Sequence, residues 1–442
     1  MKLILCVNLV WALLQIAPQL CVGAEDARVL PEGRSRLNFI YARTANISET
    51  FNNEESPESV TEPYQLELNS RTLSKLSPQL NSLIQVLNNT GWRYNTQGRD
   101  TDSRGLTKDS QYPGLGDALS RGYLGVEAQG VRQQSVLGFQ HGVTSRLTLG
   151  FMVPWVRNQI QVRPSISGSN TAKDIYAAFA SGSGVSFSPE AIQALNQIQN
   201  ADINTLQALL GSLGYAPVQD SDITSLGDLV LGGRYLLTSP ESLQGPWTHS
   251  VQAGLILPTG RLKPTQELAQ VDAGQGSTDL NLAEVSNYRP NSWLLISSGL
   301  HFTHRFWGHR TLRVRPSPST LLPGPEDEEN LSQKLGDKFW YDLGADWKPN
   351  DSLTLGVDYE WWWKAEDRFL GQRTDRDYTY LSDRTQSKLE TLQVTLAWST
   401  IGSFLRGQSW LPLSLSASVF LPLRGKNAII APYSTAELAL YF

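Results

Sequence analysis

Leu353-Thr354-Leu355-Gly356-Val357-Asp358-Tyr359-Glu360-Trp361 is the stretch that decides the fold. Apolar and polar positions alternate with period two. An extended chain therefore carries Leu, Leu, Val, Tyr and Trp on one face and Thr, Gly, Asp and Glu on the other. A face with two carboxylates suits water better than a packed core. Leu147, Leu149, Phe151, Val153 and Trp155 alternate in the same way, as do Leu413, Leu415, Ala417, Val419 and Leu421. Strands of a soluble β-sandwich alternate too, but run about five or six residues. These segments are long enough to cross a bilayer at a tilt.

Working outward, such segments fall near 35–44, 122–142, 146–163, 225–239, 247–261, 276–289, 292–308, 334–348, 351–366, 383–399, 409–425 and 432–442. Their connections alternate in length. Val143-Thr144-Ser145, Pro290-Asn291 and Pro349-Asn350 are short, whereas 45–121, 164–224, 262–275, 309–333 and 367–382 are long. That asymmetry predicts an all-β chain, a transmembrane antiparallel up-and-down β-barrel of about 12 strands with short periplasmic turns and long extracellular loops. Segment 122–142 is the least regular: Arg132-Gln133-Gln134-Ser135 interrupt its apolar face and predict a bulge there. Loop 45–121 carries a helical stripe of Leu73, Leu76, Leu80, Leu83 and Leu87. In loop 164–224, Ser188-Pro189-Glu190 opens a helix with Ile192, Leu195 and Ile198, and Asp202 caps another with Leu206, Leu209, Leu210 and Leu213. These stripes are expected to pack on each other across the barrel mouth.

The ends and the composition agree. Lys2, the apolar run Leu3–Leu14 and Val22-Gly23-Ala24 read as a signal peptide over 1–24, leaving 25–442 as the barrel. Cys6 and Cys21 leave with it, so the mature chain is expected to have no disulfide or cysteine metal site. Lys+Arg 37 against Asp+Glu 42 gives a net charge of -5, without electrostatic support for a nucleic-acid partner. Mean hydropathy is -0.28, and no segment after residue 24 offers the ~20 apolar residues of a membrane helix. Trp247, Trp293, Trp347, Trp398 and Trp410 fall at the short-turn ends; Trp307 and Trp361-Trp362-Trp363 fall at the long-loop ends, with Trp155 and Trp340 near. Two aromatic girdles are what insertion requires. The ending Glu437-Leu438-Ala439-Leu440-Tyr441-Phe442 resembles the terminal signature by which outer-membrane barrels are recognised, with Tyr441 and Phe442 as the assembly signal. The expected address is a Gram-negative outer membrane. The expected partners are outer-membrane lipid, lipopolysaccharide, the barrel assembly machinery and a small-molecule solute.

Gly142-Val143-Thr144-Ser145-Arg146-Leu147-Thr148-Leu149-Gly150 with Pro154, then Gly227-Asp228-Leu229, Leu257-Pro258-Thr259-Gly260 and Gly276-Ser277-Thr278-Asp279, occur in that order after Leu30-Pro31-Glu32-Gly33. Over roughly 30–442 this resembles the outer-membrane barrel family labelled putative MetA pathway of phenol degradation. The resemblance implies a porin- or transporter-type barrel, in places tied to aromatic degradation, and carries no catalytic residues over.

Three strands share a pattern that ends on Pro and Arg: Pro154 with Arg157, Pro258 with Arg261, and Pro422 with Arg424. Each Pro lacks a ladder donor and belongs at a bulge or where pairing ends near the rim; each Arg can meet anionic headgroups or line the mouth. Outward assignment of Phe339, Tyr341, Leu343 and Ala345 turns Trp340, Asp342, Gly344 and Asp346 inward. A turn at Pro349-Asn350 then aligns Asp342 with Asp358 and Trp340 with Glu360. Facing carboxylates need a nearby cation, for which Arg234 and Arg305 are the candidates. Asp228 and Glu437 also point inward. These acids form either a stiffening lattice or a cation-selective constriction. No cofactor or metal is expected. The run Glu326-Asp327-Glu328-Glu329 lacks EF-hand spacing and reads as a solvated loop, while His301 and His304 fall on opposite strand faces. His249 and Ser250 also point to opposite faces, so a barrel enzyme such as a phospholipase has no sequence-visible Ser-His pair. Passive passage of small solutes, hydrophobic or aromatic ones on the family's account, is the leading reading. An adhesin or structural barrel working through its loops is the alternative.

Overall fold

The structure, a computed structural model, describes residues 27–442 apart from 63–64, 77, 96–105, 181–188, 239–245, 318–319 and 321. The signal peptide expected at 1–24 and the cap residue Ser188 lie outside the described residues. Twelve strands build the wall. They are β1 (Ser35–Thr44), β2 (Ser120–Thr144), β3 (Leu147–Ser167), β4 (Leu229–Leu236), β5 (Trp247–Leu257), β6 (Asp279–Tyr288), β7 (Leu294–Arg305), β8 (Lys338–Trp347), β9 (Leu353–Lys364), β10 (Ser387–Ser399), β11 (Leu413–Lys426) and β12 (Tyr433–Tyr441). Each pairs antiparallel with its sequence neighbours, and β12 pairs with β1, so the ring closes and leaves no free edge. At the seam, the Ser35 N–H donates to the Phe442 carbonyl at 2.8 Å and the Phe442 N–H to Ser35 at 3.0 Å.

Alternation sorts the wall into two faces. Leu149, Phe151, Leu255, Leu300, Leu343, Val357, Leu396 and Leu421 are exposed on the outside, while Asp342, Asp346, Asp358, Glu360 and Glu437 are buried inside. A closed ring with an apolar exterior and a polar interior is a membrane barrel, and the address is the outer membrane. No described helix is long and apolar enough to cross a membrane. Trp247, Trp293, Trp347, Trp398 and Trp410 are exposed at the periplasmic ends, and Trp155, Trp307 and Trp363 at the outer ends. Trp340 and Trp362 do not belong to the girdle. Both have inward parity, pair across β8 and β9, and are buried in the lumen.

Three details differ from the sequence expectation. β2 runs without a bulge through Arg132-Gln133-Gln134-Ser135; its register shift lies instead at Gly142/Thr144, beside the turn. Arg132 and Gln134 have inward parity, so a polar interior accommodates them without bending the strand. The fourth segment is split, because Gly227-Asp228 separates Ser221–Leu226, which pairs with the outer half of β3, from β4, which pairs with its inner half. β2 and β3 also stay paired out to Tyr123 and Ser167, far beyond the last β1–β2 pair at Arg43 and Gln133. This hairpin stands above the rim.

The expected helices form on it: α1 (Ser70–Leu76), α2 (Pro78–Asn89), α3 (Thr171–Ala180), α4 (Pro189–Gln199) and α5 (Ile203–Ser212). Asp202 caps α5 by accepting the Thr205 N–H at 2.9 Å. α3, whose apolar residues are mostly alanines, has no Leu stripe to read in advance. Leu73, Leu83, Ile84 and Leu87 pack with Ile175, Leu195, Ile198 and the hairpin residue Leu124 in one apolar cluster. α1 to α4 pack on each other with the tall hairpin as their support, whereas α5 lies outside this cluster against β3.

Candidate translocation path

The path begins at the periplasmic end with a strap. Residues 27–34 precede β1 and are held by four strands. The Ala27 N–H donates to Asn287 Oδ1 on β6 at 2.5 Å, the Leu30 N–H to Thr148 Oγ1 on β3 at 2.8 Å, and the Gly33 N–H to the Gly142 carbonyl on β2 at 2.8 Å. Arg234 on β4 donates to the Arg28 carbonyl at 3.4 Å. Asn287 and Thr148 are buried inward residues, and Ala27 is fully buried, so the strap crosses the lumen. Arg234 thus reaches the strap from β4, four strands round the ring from β8. Deleting residues 27–33 behind an intact signal peptide is expected to raise single-channel conductance in planar bilayers severalfold. An unchanged conductance in an inserted variant would show that the strap does not limit the pore.

Higher in the lumen, the β8–β9 register is offset by two residues from the one expected. Asp342 pairs with Glu360, Gly344 with Asp358, and Trp340 with Trp362. The cause is the turn: Asn350 Oδ1 accepts the Ser352 and Leu353 N–H groups at 2.9 Å each, which recentres the hairpin one residue later and keeps every face. Each acid lies over a glycine of the adjoining strand. A Cβ on Gly344 would overlap the Asp358 carboxylate, and one on Gly299 the Asp342 carboxylate. The partner of Asp342 is His301 on β7, with Nε2 2.8 Å from Oδ1. The His301 ring stacks on Trp340 at 4.3 Å, and Lys338 lies over Trp340 and Trp362 at 5.1 and 4.7 Å from their ring centres. Arg305 instead faces Asp279 at 3.4 Å. Glu437 pairs with Arg36 across the seam at 2.6 Å. His301, Lys338 and Arg36 are the lumenal basic side chains that sequence reading missed, because strand pairing and not spacing brings them to the acids. Replacing Asp342 and Asp358 together by Asn is expected to reduce cation preference in planar bilayers; unchanged reversal potentials would leave these acids a stiffening lattice only.

At the outer mouth, loop 258–278 folds inward. Asp228 receives the Gly260 and Gln275 N–H groups at 2.8 and 2.7 Å, while burial pushes its carboxyl above the usual range. Asp272, fully buried, pairs with Arg310 at 2.6 Å and takes the Lys263 N–H at 2.6 Å. Its carbonyl is reached by Asn158 at 3.4 Å and Arg132 at 3.5 Å, from β3 and β2. Beside it, Val271 packs with Ile47, Val60, Ile160, Ile429 and Ala431. Four connections thus meet over the mouth, around one ion pair and one apolar cluster.

The rim residues have distinct surroundings. Pro154 faces the gap at Gly227-Asp228, Pro258 follows the end of β5, and Pro422 stands at the β10–β11 register shift between Glu390 and Thr391. Arg157, on the outward face, pairs with Asp222 at 2.6 Å, and Arg261 reaches Gln270 at 3.4 Å. Arg424 Nε meets Glu55 at 2.5 Å, and hydrogen bonds from Lys388 and Arg424 hold the Glu55 carboxyl below its ordinary range. The acidic run is less solvated than expected, since Asp327 is buried against Arg376 at 2.8 Å. Among the described residues no three His, Cys, Asp or Glu side chains converge as metal ligands.

Above the mouth lies an apolar cavity of about 150 Å³, all of its lining side chains apolar except Thr61 and Gln207. Its walls are the inner face of the hairpin (Val126, Ala128, Ile160, Val162), Leu66 and Leu76 of the first loop, Leu206 and Leu210 of α5, and Leu268 of loop 258–278. Ile160 belongs also to the apolar plug beneath, so the cavity floor is the closure of the mouth.

One constellation bears on enzyme chemistry. His249 on β5 lies with its Nδ1 2.7 Å from Ser286 Oγ on β6, and Ser286 donates to Glu284 at 2.5 Å. A serine nucleophile needs the acid and the hydroxyl on opposite ring nitrogens. Here both sit at Nδ1, with the hydroxyl proton on the acid, so the trio is not a triad.

No protein-family model and no curated protein matches the chain. Among solved structures, an outer membrane channel from Pseudomonas putida F1 is similar at 11% identity, over 94% of this chain and 98% of that one, with a TM-score of 0.49. The Pseudomonas putida toluene transporter TodX is similar at 10% identity over 95% of each chain, TM-score 0.32. The Ralstonia pickettii toluene transporter TbuX follows at 10%, over 93% of this chain and 90% of that one, TM-score 0.32. The closed strand ring, independent of these distant likenesses, establishes the fold.

Proposed function

We propose that the chain passes small hydrophobic solutes of monoaromatic size across the outer membrane by diffusion. The observation that carries this reading is the apolar cavity above the mouth. An apolar cavity of about 150 Å³ lined by aliphatic side chains is of the size that takes up benzene. Burying an apolar molecule there replaces water against Leu and Val surface, and of the two polar side chains in the lining Gln207 is already bonded to the Val218 backbone, which leaves little to anchor a sugar or an ion. Below the plug the lumen is polar, lined by Asp342, Asp358, Glu360 and His301. A polar lumen suits molecules small enough to stay dissolved, and long acyl chains are excluded from it. The sequence resemblance to the phenol-degradation barrel family supports the same solute class. No cofactor enters this account.

The reading is tested by binding. With leucine methyls labelled in the full chain, toluene should shift the Leu206 and Leu210 signals saturably, and L206D with L210D should abolish the response elsewhere in the cavity. Equal methyl shifts on the outer wall, at Leu343 or Leu415, would mean partitioning into detergent and would overturn the site.

A further inference from the structure

The wall that faces lipid holds a charged patch that the translocation path does not use. Strand pairing aligns Trp247 with Tyr288 in the periplasmic girdle, then His249 with Ser286 and Ser298, then Val251 with Glu284 and Leu300. The side chains of His249 and Glu284 are 38% and 40% exposed and 3.6 Å apart, with Ser286 between them. Glu284 stands four residues up β6 from Tyr288, about 10 Å above the girdle at the usual rise and tilt. On β5, β6 and β7 it is the one outward-facing carboxylate. An ionisable side chain at that depth is disfavoured against lipid and marks a contact. On the flank, Gly233 pairs with Ala253, so the wall is low beside the patch.

We propose that this patch binds a second copy of the chain within the membrane. A surface bearing one base and one acid is complementary to itself after a half-turn, so a two-fold axis sets His249 of each copy against Glu284 of the other. Hydrocarbon tails offer neither group a partner. Polar side chains bonded across the interface supply attraction, and Gly233, Ala253, Ser286 and Ser298 let two walls approach closely.

Both cysteines of the sequence, Cys6 and Cys21, lie in the expected leader, so a single introduced thiol reports contact. In oxidised native outer membranes, V251C is expected to give a disulfide-linked dimer, and L415C on the far side of the ring none. Adding H249L and E284L to V251C should lower the dimer yield at least severalfold, without loss of inserted barrel. Differently tagged H249E and E284H chains should each fail to self-associate and should recover the dimer when co-expressed. A V251C yield no higher than that of L415C, with both inserted, overturns the proposal. A monomer that retains phosphatidylethanolamine through purification, and loses it on E284L, overturns it too and assigns the patch to lipid.

Discussion

Deleting Tyr441 and Phe442 should cut the amount of heat-modifiable barrel in the outer membrane to a small fraction of the full-length level. The two residues end the strand that closes the ring. Tyr441 pairs with Arg36 in the β12–β1 register, with the guanidinium 5.5 Å from the ring centre, and Phe442 exchanges both of its backbone hydrogen bonds with Ser35. The Phe442 side chain itself is exposed on the outer wall, where packing gains nothing from it and a recognition step would meet it. Losing one ladder step costs about 1 kcal/mol per hydrogen bond, too little to empty the membrane of a closed barrel. A severe loss therefore reports failed assembly, and F442A alone should reproduce most of it. Normal abundance after the deletion would contradict the terminal-signal reading.

Asp272→Ala should open the outer mouth. It removes the carboxylate that Arg310 and the Lys263 N–H bind, while the contacts of Arg132 and Asn158 with the Asp272 backbone carbonyl stay. Breaking one side of a buried ion pair costs about 3–5 kcal/mol, which moves a docked loop toward release by more than a hundredfold. The wall residues Arg132 and Asn158 meet Asp272 at its backbone carbonyl, which the substitution keeps, so insertion should be normal. Conductance should rise severalfold, and loop 258–278 should become sensitive to external protease at Arg261 or Lys263. R310M, which removes both charge and orphan when combined with D272L, should restore much of the closure through apolar packing with Val271. Parental conductance in D272A would mean that the loop is held by the Val271 cluster alone.

The two faces of every strand were legible because period two survives any error in turn position. That is why Asp342, Asp346, Asp358, Glu360 and Glu437 lie inside as parity requires, even though the β8–β9 register is offset. Which acid meets which cation was not legible, since Asn350 sets the turn through local hydrogen bonds and His301 arrives from a strand 41 positions away from Asp342. The same holds for Ser286, which pairing alone brings to His249. The strap has no periodicity at all, so Leu30-Pro31-Glu32-Gly33 shows a family resemblance but no position until the contacts of Ala27 and Leu30 place it in the lumen. In the loops, helix stripes and the Asp202 cap were visible, but their docking surface was not. A 21-residue strand such as β3 exceeds what the membrane needs, and its surplus is the scaffold of the cavity.

The most direct test is the initial uptake rate of radiolabelled toluene by cells whose lipopolysaccharide layer is intact and whose own hydrocarbon channels are deleted. The account predicts that the full chain raises this rate well above the empty-vector level. L206D with L210D, inserted to the same amount, should return it to that level while leaving uptake of small sugars unchanged. Equal toluene uptake by the parent, the double variant and the vector would contradict it.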